Sequence, residues 1–140
     1  MDYRKNNSYV AIRLDDNDEI IESIKAVAKK EKILSASIKG LGAAKIAELA
    51  HYDTKEKKYN TKKFEGMLEI ISLNGNIATM NNEPAVHIHM AISKHDFSTI
   101  SGHLMKGIVY PTCEIVLNLH GIKITREFDE KTGLNLQKFE

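Results

Sequence analysis

Apolar positions along this chain alternate with polar ones far more often than they follow helical spacing. Val10, Ile12 and Leu14 occupy every second place of 9–14 and predict a first strand. The acidic run Asp15-Asp16-Asn17-Asp18 ends it. Ile20, Ile21, Ile24, Val27 and Ala28 then recur at helical spacing, with Glu22, Lys25, Lys29 and Lys30 on the opposite face. This predicts one long amphipathic helix over about 18–31, with Asp16 as its cap and Glu19 completing a capping box.

Beyond this helix the period is two. Residues 33–38 and 46–52 read as strand, interrupted at Gly40-Leu41-Gly42-Ala43 by a tight connection or a bulge. Residues 53–58 form a polar hairpin tip, from which 59–64 return. The nearly continuous apolar run 67–73 suits a strand covered on both faces. Asn74-Gly75-Asn76 reads as a turn and 81–84 as a loop. In 84–93, Val86, Ile88, Met90 and Ile92 point one way and His87, His89 and Ala91 the other. Residues 95–98 look like a turn, 99–105 like a returning strand closed by Lys106-Gly107, and 115–119 like a further strand. His120-Gly121 is a turn, 122–128 a last alternating strand, and the tail 134–139 retains enough alternation to pair. The expected fold is a single α+β domain over 1–140, with its core at about 9–128. About eight mainly antiparallel strands pack with one long helix.

The 140-residue length and 42% hydrophobic content fit one domain with one core. The lone cysteine, Cys113, excludes an internal disulfide and, within Cys113-Glu114-Ile115-Val116-Leu117, reads as a buried small hydrophobe. Neither a signal-peptide core nor a run of membrane-spanning length is present, so the expected location is cytoplasmic, with no membrane partner. Twenty basic against 19 acidic residues leave a net charge of +1. That balance argues against avid DNA binding through phosphate contacts alone. A local basic patch is still open at Lys55, Lys57, Lys58, Lys62 and Lys63, diluted by Glu56 and Glu65. The Gly40-x-Gly42 pair lacks the third glycine and following helix of a dinucleotide fingerprint.

The candidate chemistry lies in the histidines. His87 and His89, two apart on a strand, leave the same face about 7 Å apart. His103 follows in the returning segment. Three neutral imidazoles can share one zinc, or another divalent transition metal, and leave a fourth position for water or substrate. The bland reading is three hydrogen-bonded or solvated rings, which is how His51, His95 and His120 read. Glu69 and Glu114 lie in apolar strands. Either could orient a ligand histidine or act as a general base, or be a sheet-face glutamate paired with a cation.

Several stretches in register resemble the plant and prokaryote conserved (PPC) domain family. They are Gly40-Leu41-Gly42-Ala43, Phe64-Glu65-Gly66 leading into 68–77, Pro84 with His87-x-His89, and Gly102-His103-Leu104-x-x-Gly107. The resemblance spans about 9–128 and implies a compact, mainly antiparallel fold with one helix, assembled as a homotrimer. It also implies a transcription-associated regulatory role with DNA or protein partners, and in some members a metal on three histidines matching His87, His89 and His103. The chain has no Arg-Gly-Arg-Pro AT-hook, which removes the family's minor-groove element. It also has Glu31-Lys32-Ile33 where the family often has a glycine at the helix stop. Two functions follow: a trimeric PPC-type regulatory module, not itself an enzyme, or a metal-dependent enzyme or small-molecule sensor.

Overall fold

The computed structural model describes residues 1–139. Eight strands and one helix follow in the order β1 (Asp2–Lys5), β2 (Tyr9–Leu14), α1 (Ile20–Lys30), β3 (Ala36–Asp53), β4 (Lys58–Met80), β5 (Glu83–Ser93), β6 (Thr99–Leu119), β7 (Thr125–Asp129) and β8 (Leu134–Lys138). Three of these are much longer than ordinary strands: β3, β4 and β6 have 18, 23 and 21 residues. Their antiparallel pairings close on themselves: β3 pairs β4, β4 pairs β5, β5 pairs β6 and β6 pairs β3. β2 and then β1 extend the sheet from β6. β7 joins β4 through one parallel bridge, Thr79 to Thr125, and β8 pairs β7.

The ring is filled by one side of each alternating strand. Ile38, Leu73, Ile77, Ile88, Met90, Ile92, Leu104, Ile115 and Leu117 are nearly or fully buried. The helix packs against β5 and β6, adding Ile20, Ile24, Val27 and Ala28 to the same core. That buried face follows the helical period seen in the sequence.

The helix is shorter than expected, 11 residues, because its cap is Glu19 and not Asp16. Glu19 Oε2 accepts the Glu22 amide at 2.7 Å while Oε1 accepts the Gly107 amide of β6 at 2.9 Å. One carboxylate thus satisfies a helix N–H and ties the helix to the sheet. Asp16 is used elsewhere, receiving Lys45 at 2.7 Å. The helix stops with paired bonds from Lys32 N to Lys29 O and from Ile33 N to Ala28 O, and Lys32 has φ +53°. This is a Schellman stop with lysine in the left-handed place that glycine usually fills.

The interruption expected at Gly40-Leu41-Gly42-Ala43 is a bulge inside β3, with Gly42 at φ +148° and pressed against Thr112 and Cys113. Two other expected breaks are continuous strand. Lys106-Gly107 runs on within β6. Asn74-Gly75-Asn76 lies in mid-β4, opposite His89, Ile88 and His87. Conversely, Asp2–Lys5, which has no clear strand pattern, pairs with β2. In each case tertiary pairing overrides the local signal. The true turn after β4 is Asn81-Asn82, both at positive φ (52° and 63°), where asparagine is tolerated.

Candidate metal centre

The alternation of 84–93 sends Ile88, Met90 and Ile92 into the core, and so turns His87 and His89 to the other face of β5. The β5–β6 ladder sets His103 directly opposite His89. The ring centroids stand 5.1 Å (His87–His89), 4.9 Å (His87–His103) and 5.5 Å (His89–His103) apart. One nitrogen from each ring lies within 4.8 Å of the others. Ligands on a tetrahedral ion at about 2.0–2.1 Å are separated by roughly 3.4 Å, so small side-chain rotations bring the rings onto a common ion.

The electrostatics suit a metal. Burial, followed by the charges of His103, Arg126 and His89, pushes His87 down to about 4. Burial and the same kind of neighbours also lower His103. Both rings are therefore neutral at pH 7, the form in which imidazole ligates metals. The donor set is three nitrogens without a carboxylate, which would suit zinc or another divalent transition metal.

Two cavities, of about 590 and 690 Å³, flank the cluster and share Tyr59, His87, His103 and Leu134 in their walls. The Tyr59 ring lies 4.8 Å from that of His103 at 34°, and 4.9 Å from that of Tyr52. Burial raises the Tyr59 hydroxyl above its usual range. Arg126 of β7 reaches in from the C-terminal hairpin. Its Nη2 donates to Asn76 Oδ1 at 2.7 Å and lies 3.4 Å from His87 Nδ1, and its Nη1 donates to the Asn135 carbonyl at 2.8 Å.

The remaining candidates lie elsewhere. Glu69 sits opposite Ser93 and Ala43, and Glu114 opposite Arg13 and Leu41; both are exposed and line neither cavity beside the rings. They are sheet-face glutamates, and the geometry gives them no contact with a ligand ring. The lysines cluster on the β3–β4 hairpin as expected, but acids and carbonyls engage several of them. Lys58 pairs with Glu56, Lys63 with Glu65 at 2.6 Å, and Lys57 donates to the Glu130 carbonyl at 2.6 Å. Lys62 lies 5.5 Å over the Phe64 ring, and Lys55 is exposed on the turn. Of the other histidines, exposed His51 edges the smaller cavity, and His95 and His120 are exposed on turns. Asn76, Tyr59 and Arg126 are site residues that sequence reasoning missed. Asn76 was legible only once 74–76 was known to be strand facing His87 and His89.

The fold and site define a class: a closed antiparallel ring of long strands, buttressed by one helix, with a three-histidine cluster in its wall. The chain belongs to the Plants and Prokaryotes Conserved (PCC) domain family, which matches residues 1–119 and is the PPC family seen in its motifs. It is similar, at 32% identity and TM-score 0.95, to a protein of Bacteroides thetaiotaomicron to which DNA binding has been ascribed, covering 99% of this chain and 96% of that one. A metal-containing protein from Archaeoglobus fulgidus shares 32% identity at TM-score 0.87, covering 99% and 97%. A PPC protein from Pyrococcus horikoshii shares 29% at TM-score 0.87, covering 99% and 94%. Among curated proteins none matches. No helix among the described residues is long and apolar enough to cross a membrane.

Proposed function

We propose that this chain is a metal-binding regulatory module of the PCC family. In this reading it acts as a homotrimer in transcription-associated complexes, with zinc or a similar divalent ion on His87, His89 and His103. The observation that carries the metal reading is the convergence of three imidazole nitrogens within 4.8 Å, with His87 and His103 held neutral by burial. When bound, such an ion would offer one open position to water or a ligand. The protein's part is to hold the rings: the β5–β6 register fixes His89 against His103, and the β4–β5 register sets His87 opposite Asn76.

The test is metal content and zinc-dependent melting. At zinc a hundredfold above its dissociation constant, binding stabilises the fold by about 2.7 kcal/mol. His103→Ala abolishes that gain. Purified protein that neither carries nor binds a metal would refute the site.

Assembly as a trimer is supported by exposed apolar side chains on the outer sheet face. Leu41 and Ile71 are each 58% exposed and Val116 38%, on neighbouring strands β3, β4 and β6. Light scattering checks this, and a clean monomer at micromolar concentration sinks it.

DNA association draws support from the 32%-identical Bacteroides protein. The near-neutral charge and the acid-paired lysines favour contact through a partner, or through few phosphates. A gel shift that vanishes by about 0.2 M salt would support direct contact, and no shift at low salt removes it.

An enzymatic or sensor role for the same centre is favoured by one observation: both cavities open onto His87 and His103.

A further inference from the structure

Arg126 stands in an unusual position. The guanidinium is half-buried, burial lowers its pKa, and its Nε–H is buried and donates to nothing. None of the ion pairs among the described residues includes it. The other charged groups of the larger cavity are already matched: Lys25 pairs with Glu22 at 2.8 Å, and Glu83 with Lys29 at 2.8 Å. A half-buried cation with a buried, unused donor is costly unless an acceptor completes it.

We propose that Arg126 and the histidine cluster form one composite site for a small carboxylate ligand, held by the guanidinium fork at one end and by the metal's open position at the other. The inference rests on the metal reading above and names the ligand class of that site. Three observations lead to it. The guanidinium and two of the three rings line the same cavity. The rest of that wall is largely apolar, including Pro84, Val86, Leu134 and Leu136, which suits an organic acid better than a heavily hydrated inorganic oxyanion. A planar carboxylate matches the fork of arginine and, once the guanidinium turns off His87 into the cavity, would take the Nη2 hydrogen now directed at His87 and the Nε–H that is buried and unpaired in the present arrangement.

That last contact couples the two halves. A guanidinium can only donate, so a bond from Arg126 to His87 Nδ1 occupies that lone pair and requires the ring's proton on Nε2. In that tautomer Nε2 cannot ligate. A carboxylate that draws Arg126 away frees the ring and lies between two positive charges. Carboxylate and metal therefore bind cooperatively, and by linkage each tightens the other by the same factor.

The experiment is zinc titration calorimetry of the whole chain without added anion, with acetate, and with sulfate at matched ionic strength. Acetate should tighten zinc binding by roughly tenfold, and sulfate should do so far less. In Arg126→Gln, zinc alone should bind at least as tightly as in the parent chain, with the acetate effect lost. Arg126→Lys, which keeps the charge but not the fork, should lose most of it. Circular dichroism verifies that each variant is folded, and the lysine variant carries the test if the glutamine variant is not. Zinc binding with no response to acetate, an equal response to sulfate, or an undiminished response in a folded variant overturns this inference and leaves the metal centre standing. Absence of His103-dependent zinc binding overturns both.

Discussion

Replacing Gly75 with alanine should destabilise the protein severely, although a general rule says the opposite. Glycine inside a strand normally weakens it, so a Gly→Ala change at a tolerant position gains about 0.5–1 kcal/mol. Here a β-carbon at 75 would stand 2.1 Å from the His87 carbonyl oxygen and 3.0 Å from both the His87 carbonyl carbon and Ile88 Cα. All three are backbone atoms, so no rotamer change relieves the overlap. Restoring an ordinary contact requires β4 and β5 to part by about 1 Å, enough to break a ladder hydrogen bond of normal length. Overpacking of this kind costs about 1–3 kcal/mol, and one or two lost bonds add about 1 kcal/mol each. The expected loss is about 2–5 kcal/mol, or roughly 8–20 °C in Tm for a domain of this size. Because His87 is the residue displaced, zinc affinity should fall in the same variant. Thermal unfolding followed by circular dichroism reads the first effect, and zinc titration the second. A variant as stable as the parent would show that the β4–β5 approach at His87 is looser than described, and that the glycine has no part in placing the ring.

Three other outcomes follow from the geometry. Lys32→Gly should stabilise by about 0.5–1 kcal/mol, read as a higher urea midpoint, since it relieves a left-handed lysine at the helix stop. In metal-free protein, the histidine contribution to stability should be constant above about pH 7 and fall as the pH drops from about 6.5 toward about 4. The unfolded chain takes up a proton on His87 near its ordinary value while the folded chain does not, and lowered His103 acts in the same sense. Urea midpoints measured across that range should show a shallower slope for His87→Ala; an unchanged slope would refute the burial argument. Cys113 is fully buried, and its thiol is pushed up to about 12, chiefly by burial. An alkylating reagent at pH 7.5 should modify it only as fast as the protein unfolds, a rate visible by mass spectrometry.

The residues that carry the site are among the most local features of the chain. His87 and His89 share a face because a strand has a period of two, and the apolar partners Ile88, Met90 and Ile92 leave no doubt about which face is inward. The helix, too, is written in its own spacing, although its length was not. Asp16 and Glu19 are both acceptable caps, and only the Gly107 amide of β6, offered to Glu19, distinguishes them. Asn74-Gly75-Asn76 has the composition of a turn, and becomes mid-strand because β5 approaches so closely that only glycine fits between flanking asparagines.

The sequence by itself determined the strand-rich class, the single helix, the family and the three candidate ligands, because each rests on short-range periodicity or on a run of residues in register. The tertiary structure alone decided that His103 faces His89, that Glu69 and Glu114 stand apart from the rings, and that Arg126, 39 residues from His87 in the chain, closes on it. Those facts depend on how four strands close into a ring and where the C-terminal hairpin returns. Pairing between distant segments is set by the sum of many weak contacts, and no single stretch of chain encodes it.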